Sequence, residues 1–125
     1  MHNYSEVYSH LNFETAAIVF LKKDGTVRLM LGTRNLSTIN LRYGYQGATL
    51  GGHDKRCNIG NGNVAVFDLL LGEARAFNID RLQSIYYMGT VETPEQLDKV
   101  ANEFIEFQKA YEESKPKAID MDMLD

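Results

Sequence analysis

The sequence predicts a single, mainly β domain: a small β-barrel closed by one C-terminal amphipathic α-helix. Three observations carry this reading. A hairpin signal lies between residues 16 and 31, a second set of hairpin-linked strands lies between 64 and 88, and an apolar stripe at helical spacing follows Thr93. At 125 residues the chain has room for one ordinary core and not for two.

The first hairpin joins Ala17-Ile18-Val19-Phe20-Leu21 to Val27-Arg28-Leu29-Met30-Leu31 through Lys22-Lys23-Asp24-Gly25-Thr26. Asp24-Gly25 is a hairpin dipeptide because both residues tolerate positive φ. Val27, Leu29 and Leu31 alternate with Arg28 and Met30, the pattern of a strand with one buried face. Further on, Val64-Ala65-Val66-Phe67-Asp68-Leu69 reads as a buried strand and Ala74-Arg75-Ala76-Phe77-Asn78-Ile79 as its alternating partner. Strands are expected at residues 16–21, 27–32, 64–69, 74–79 and 84–88. Short consecutive hairpins in so small a chain favour a barrel or sandwich, which removes exposed edges.

Between these strand pairs, residues 32–63 hold seven of the ten glycines. Residues 36–63 therefore read as a glycine-rich insertion, functional or partly disordered, in which residues 41–45 make a short strand or flap. The helix is expected over 93–114. Thr93 is its N-cap, Pro94 its first residue, and Gln96 completes a capping box. Leu97, Val100, Ala101, Phe104, Phe107 and Tyr111 form its apolar stripe, while Glu103, Glu106 and Lys109 stay in water. The stripe is expected to dock on the chain's own barrel, the alternative being a dimer or partner-helix interface. Residues 115–125 read as an acidic flexible tail, and the N-terminus, with His2 and His10, as flexible too. The whole, residues 1–125, is one domain.

Residues 1–10 carry neither a basic nor an apolar leader region, and no apolar run approaches the roughly 18 residues that span a bilayer. A cytoplasmic, non-membrane protein is expected, in keeping with the single cysteine, Cys57. The formal net charge is −4 and unevenly spread. Residues 20–81 hold nine basic against five acidic side chains, and the rest of the chain four against twelve. A basic body with an acidic helix and tail fits a polyanion partner, or an ordinary solvated surface.

Three segments carry a family resemblance: FLKKDGTVR over residues 20–28 with GTRN over 32–35, VAVFDL over 64–69, and EARAFNIDRLQSI over 73–85. Together they resemble the phage-rich small-barrel family related to WYL domains, of the WYL_2 type. The resemblance implies a Sm-like or SH3-like barrel, frequent in bacteriophages and their hosts, with no well-defined activity. It spans roughly the central half of the chain. Arg75, Phe77 and Asp80 stand at matching positions, whereas Ala74 replaces the aromatic that many members carry before the arginine. The glycine-rich insertion and the C-terminal helix look like local elaborations.

No catalytic constellation is legible, so the chain is not expected to be an enzyme or to carry a cofactor or metal. His53 and Cys57 could supply two zinc ligands, but a structural site takes four and no second pair exists. Lys55 and Arg56 beside Cys57 could lower its thiol pKa, yet no matching histidine and acid follow. The glycine run over residues 44–52 lacks the lysine and Ser/Thr ending of a phosphate loop. The candidate ligand-binding residues are Arg28, Arg34, Arg42, Tyr43, Tyr45, Lys55, Arg56 and Arg75, in which cations alternate with aromatics as in barrels that bind single strands. The expected partner is RNA, single-stranded DNA or a nucleotide-like anion. The rival is a host protein that this module inhibits or modulates, and a homo-oligomer is also open.

Overall fold

The computed structural model describes residues 2–47 and 50–114, with no side-chain detail for 45–47. In chain order the elements are α1 (Tyr4–Phe13), β1 (Ala16–Leu21), β2 (Val27–Thr33), α2 (Leu36–Gly47), α3 (Gly51–Arg56), β3 (Asn63–Asp68), β4 (Glu73–Asn78), a 3-10 turn (Ile79–Arg81), β5 (Leu82–Tyr87) and α4 (Pro94–Ser114). The five strands form one antiparallel sheet in the order β4-β3-β2-β1-β5. Every expected strand is present, displaced by at most two residues, and α4 occupies the span expected for it. Among the described residues no helix is long and apolar enough to cross a membrane.

The central strands are apolar on both faces, because a period of two sends alternate side chains to opposite sides. Ala17, Leu31, Ala65 and Phe67 face a core completed by Ile39 of α2 and by Leu97, Val100, Ala101 and Phe104 of α4. Ala16, Ile18, Phe20, Met30, Val64 and Val66 face the other way, onto Val7 and Leu11 of α1 and onto Phe77 of β4. The one-sided burial expected of β2 is therefore corrected. Met30 is as buried as Leu31 because α1 covers the second face.

The described sheet curls as in a small barrel but is not closed by strand pairing. β2 and β3 share only the pairs Gly32↔Asp68 and Thr33↔Phe67, so the two hairpins are offset and bend toward each other. Phe20 of β1 consequently meets Phe77 of β4 with ring centroids 5.8 Å apart, although two strands separate them in the sheet. No pairing between β4 and β5 occurs among the described residues.

Three helices were not expected. In α1 the N-terminus is ordered by Asn3, whose side chain accepts the Glu6 N–H at 3.1 Å, and by burial of Val7 and Leu11 one turn apart. α2 replaces the supposed flap at residues 41–45. Asn35 caps it through the Ser37 and Thr38 N–H groups, and Gly44, at φ 72°, breaks it. α3 follows within the same glycine-rich stretch. The first hairpin also turns differently from expectation: Gly25 alone takes positive φ (87°), while Asp24 accepts both the N–H and the hydroxyl of Thr26. Those bonds hold the Asp24 carboxyl below its ordinary pKa. The acidic tail, residues 115–125, lies outside the described residues.

The capping box of α4 forms as read: Gln96 N–H donates to Thr93 Oγ1 at 3.1 Å, and the Gln96 side chain accepts the Thr93 N–H at 3.2 Å. Its stripe docks on the chain's own sheet. Phe104 is 1% exposed, and Phe107 packs on Tyr86 of β5 at 5.2 Å. Phe104→Ala is expected to destabilise the fold by roughly 3–5 kcal/mol in chemical denaturation, through lost burial and the cavity left behind. Ile105→Ala, at a side chain 38% exposed, should change it by less than about 1 kcal/mol. Equal losses would show that α4 does not dock through its stripe.

Candidate functional site

The curl leaves an open cleft of about 820 Å³ between the end of the β1–β2 hairpin and β4 with its following turn. Its floor is apolar, since Phe20 and Phe77 meet there and both are buried. Its walls are basic: Lys22, Lys23 and Arg28 come from the hairpin, Arg75 from β4 and Arg81 from the 3-10 turn, against Glu73 and Asp80. His53 of α3 and Asn63 complete the rim.

Register explains how the two arginines of the strands reach this face. Arg28 lies directly across from Phe20, and Arg75 directly across from Val66, so each side chain leaves the sheet on the concave side. Lys22 and Lys23 flank the turn that Gly25 makes possible. Arg81 is fixed by the 3-10 turn, which Asn78 caps by accepting the Asp80 N–H at 2.9 Å.

The cleft's cations are not equivalent. Arg75 is neutralised, with Nη2 donating to Glu73 Oε1 at 2.6 Å and Nε 3.6 Å from Asp68 Oδ2. Asp68 is itself buried and accepts the Leu70 and Leu71 N–H groups, so this pair braces the β3–β4 turn. Lys22, Lys23, Arg28 and Arg81 make no ion pair among the described residues. Four unpaired cations around one concavity with an apolar floor raise the local concentration of anions.

Of the residues singled out from sequence, Arg28 and Arg75 line this cleft, and Arg34, Arg42, Tyr43, Lys55 and Arg56 do not. Arg34 is interior, its side chain 6% exposed. Its guanidinium donates to Asn12 Oδ1 at 2.9 Å, the Ala65 carbonyl at 2.6 Å, the Tyr8 hydroxyl at 2.8 Å and Asp54 Oδ1 at 3.1 Å, and it lies 4.1 Å over the Tyr8 ring. It ties α1, β3 and α3 together. Arg42 pairs with Asp98 of α4 at 3.0 Å. Tyr43 packs on Phe67 with centroids 5.0 Å apart, and its hydroxyl donates to the Leu69 carbonyl. Its ring also fills the space beside Gly72, where a Cβ would lie 2.7 Å from it. Lys55 and Arg56 are exposed on α3, and the Tyr45 side chain lies outside the described residues.

Lys22, Lys23 and Arg81 are not among the residues that the sequence points to, and His53 enters there only as half of a zinc pair with Cys57, whereas the structure sets it in the cleft lining without Cys57. The two lysines were legible as cations of a hairpin turn, but nothing in the sequence places that turn against β4. Burial, with Asp54 nearby as a lesser cause, pushes the Cys57 thiol up and outweighs the lowering pull of Arg34 and Arg56. Among the described residues no group of three or more His, Cys, Asp or Glu is placed to hold a metal ion.

An open, curled five-stranded sheet between two helical covers defines a small barrel-type module, and comparison with known families agrees. The chain belongs to the WYL_2 family, described as a Sm-like SH3 β-barrel fold, whose model matches residues 4–83. The match runs from α1 into the start of β5, so α4 lies beyond it. No curated protein and no solved structure matches the chain.

The account of Arg34 is open to a stability measurement. Arg34→Ala should cost about 2–4 kcal/mol, because four acceptors on three elements lose their donor. Arg34→Lys should recover little of that, since an ammonium cannot reproduce the planar fork. Near-complete rescue by lysine would show that only the charge matters.

Proposed function

We propose that the protein is a non-catalytic binding module that holds nucleic acid or a nucleotide-like anion in the cleft between the β1–β2 hairpin and β4. The observation that carries this reading is the set of four unpaired cations, Lys22, Lys23, Arg28 and Arg81, around one concave site. Arg34, Arg42 and Arg75 are committed to protein carboxylates or carbonyls, whereas Lys55, Arg56 and Lys99 stand singly exposed on helices outside the cleft lining. A fold that spends those three arginines on itself and leaves four cations facing a cleft is arranged for an external anion. The setting proposed with it is the cytoplasm of a phage-infected cell, supported by the lone cysteine and by the resemblance of the turn and strand motifs to a phage-rich family.

A second reading, a module that docks on a host protein, is favoured by a different surface. Among the described residues β4 and β5 each end the sheet with an edge that no other strand pairs, and Tyr86 on β5 is 56% exposed. Free edges and exposed aromatics are where peptides and proteins attach.

Fluorescence polarisation with labelled single-stranded RNA and DNA at low salt separates the two. Binding is expected, and Arg28→Ala and Arg81→Ala should each weaken it about tenfold, the equivalent of one charge-assisted contact of roughly 1.5 kcal/mol. Lys99→Ala, on the exposed face of α4, serves as the control and should leave affinity unchanged. Capture of a host protein with no binding of RNA, DNA or nucleotide would replace the first reading by the second.

A further inference from the structure

We infer that the cleft grips the phosphodiester backbone of a single strand without reading its bases, an inference that rests on the anion-binding reading above and specifies its ligand. Recognition of bases by small barrels needs ring faces on which bases stack. The cleft's two phenyl rings do not offer them: Phe20 is 6% exposed and Phe77 2%, each spent on the other and on the core, and the remaining ring of the lining, the half-buried imidazole of His53, is a single small face at the rim. The exposed aromatics among the described residues, Phe13 at the end of α1 and Tyr86 and Tyr87 on β5, do not line the cleft. What the cleft does offer is cations from both walls, Lys22, Lys23 and Arg28 on one and Arg81 on the other.

Cations on facing walls suit a flexible polyanion passing between them. A duplex carries its phosphates on the outside of a stiff rod and meets one wall at a time. The neutralised Arg75 sets a further limit, because Glu73 beside it turns a carboxylate toward the same cleft and disfavours a phosphate at that end. Asp80 turns a second carboxylate toward the cleft beside Arg81, so the strand's path is set chiefly by Lys22, Lys23 and Arg28 at the hairpin end, with Arg81 as the contact on the facing wall. Contact with phosphates alone leaves affinity nearly independent of sequence and steeply dependent on salt.

The test compares homopolymeric oligonucleotides of equal length, an abasic oligonucleotide, a duplex and inorganic polyphosphate. Affinities for the homopolymers and the abasic strand should agree within about threefold, with the duplex weaker. The log–log salt slope should be about −3, from four phosphate contacts at roughly 0.7 each. Arg28→Ala and Arg81→Ala should each flatten the slope by about 0.7 for every sequence alike. One homopolymer preferred tenfold, or loss of the abasic strand, would overturn this inference while leaving the anion-binding reading intact, provided Arg28→Ala still weakened binding. Tighter binding of the duplex would overturn the single-strand assignment in the same way. No binding of any of these polyanions at low salt would overturn the anion-binding reading itself.

Discussion

The architecture depends on a sheet whose central strands are apolar on both sides. Met30 and Leu31 are neighbours in β2, point in opposite directions, and are both fully buried. Exposing either row to water would forfeit roughly 1.5–3 kcal/mol per large side chain, so the sheet needs two covers. α4 with α2 provides one, and α1 with the curl of the sheet itself provides the other. The curl is thus a packing consequence: it lets Phe20 and Phe77 complete the core from opposite hairpins. The cleft exists because that same movement brings the hairpin end and β4 together without pairing them.

Arg34 shows how the covers are held in place. The residue leaves the end of β2, enters the interior, and satisfies acceptors on α1, β3 and α3 with a single planar group. A buried guanidinium is tolerated only when its donors are used, and here the Ala65 carbonyl, the Tyr8 hydroxyl and Asn12 use them alongside a half-exposed Asp54. The α2 cover is joined on the other side by Arg42 to Asp98, an exposed pair worth little by itself, and by Thr38, whose hydroxyl donates to the Val91 carbonyl at 2.7 Å in the buried core.

The parts legible in the sequence are those fixed by local chemistry. The first hairpin is fixed by Asp24 and Gly25, and α4 by Thr93, Pro94 and Gln96; in each case the deciding bonds link residues a few positions apart. α1 carried a comparable signal, Asn3 followed by Glu6 with Tyr4, Val7 and Leu11 at helical spacing, which the polar, histidine-bearing composition of the first ten residues obscured. α2 and α3 were hidden for a physical reason. Gly44, Gly47, Gly51 and Gly52 lower helix propensity, and packing of Ile39 and Leu50 into the core overrides it. The cleft was half legible. Arg28 and Arg75 sit on strands whose alternation fixes their face, but Arg42, Tyr43, Lys55 and Arg56 were grouped by nearness in sequence, and helices carry them elsewhere. Arg34 could not have been placed, because its side-chain partners are 20 to 31 residues away in the chain.

The central claim is that the concave, basic side of the curl is the binding face. Mapping amide chemical-shift changes by NMR while adding a short single-stranded oligonucleotide at low salt tests it most directly. The account predicts that the shifts cluster on Lys22, Lys23, Arg28 and residues 75–81. Shifts centred on Arg42, Tyr43, Lys55 and Arg56, or confined to the exposed β5 edge around Tyr86, would contradict it.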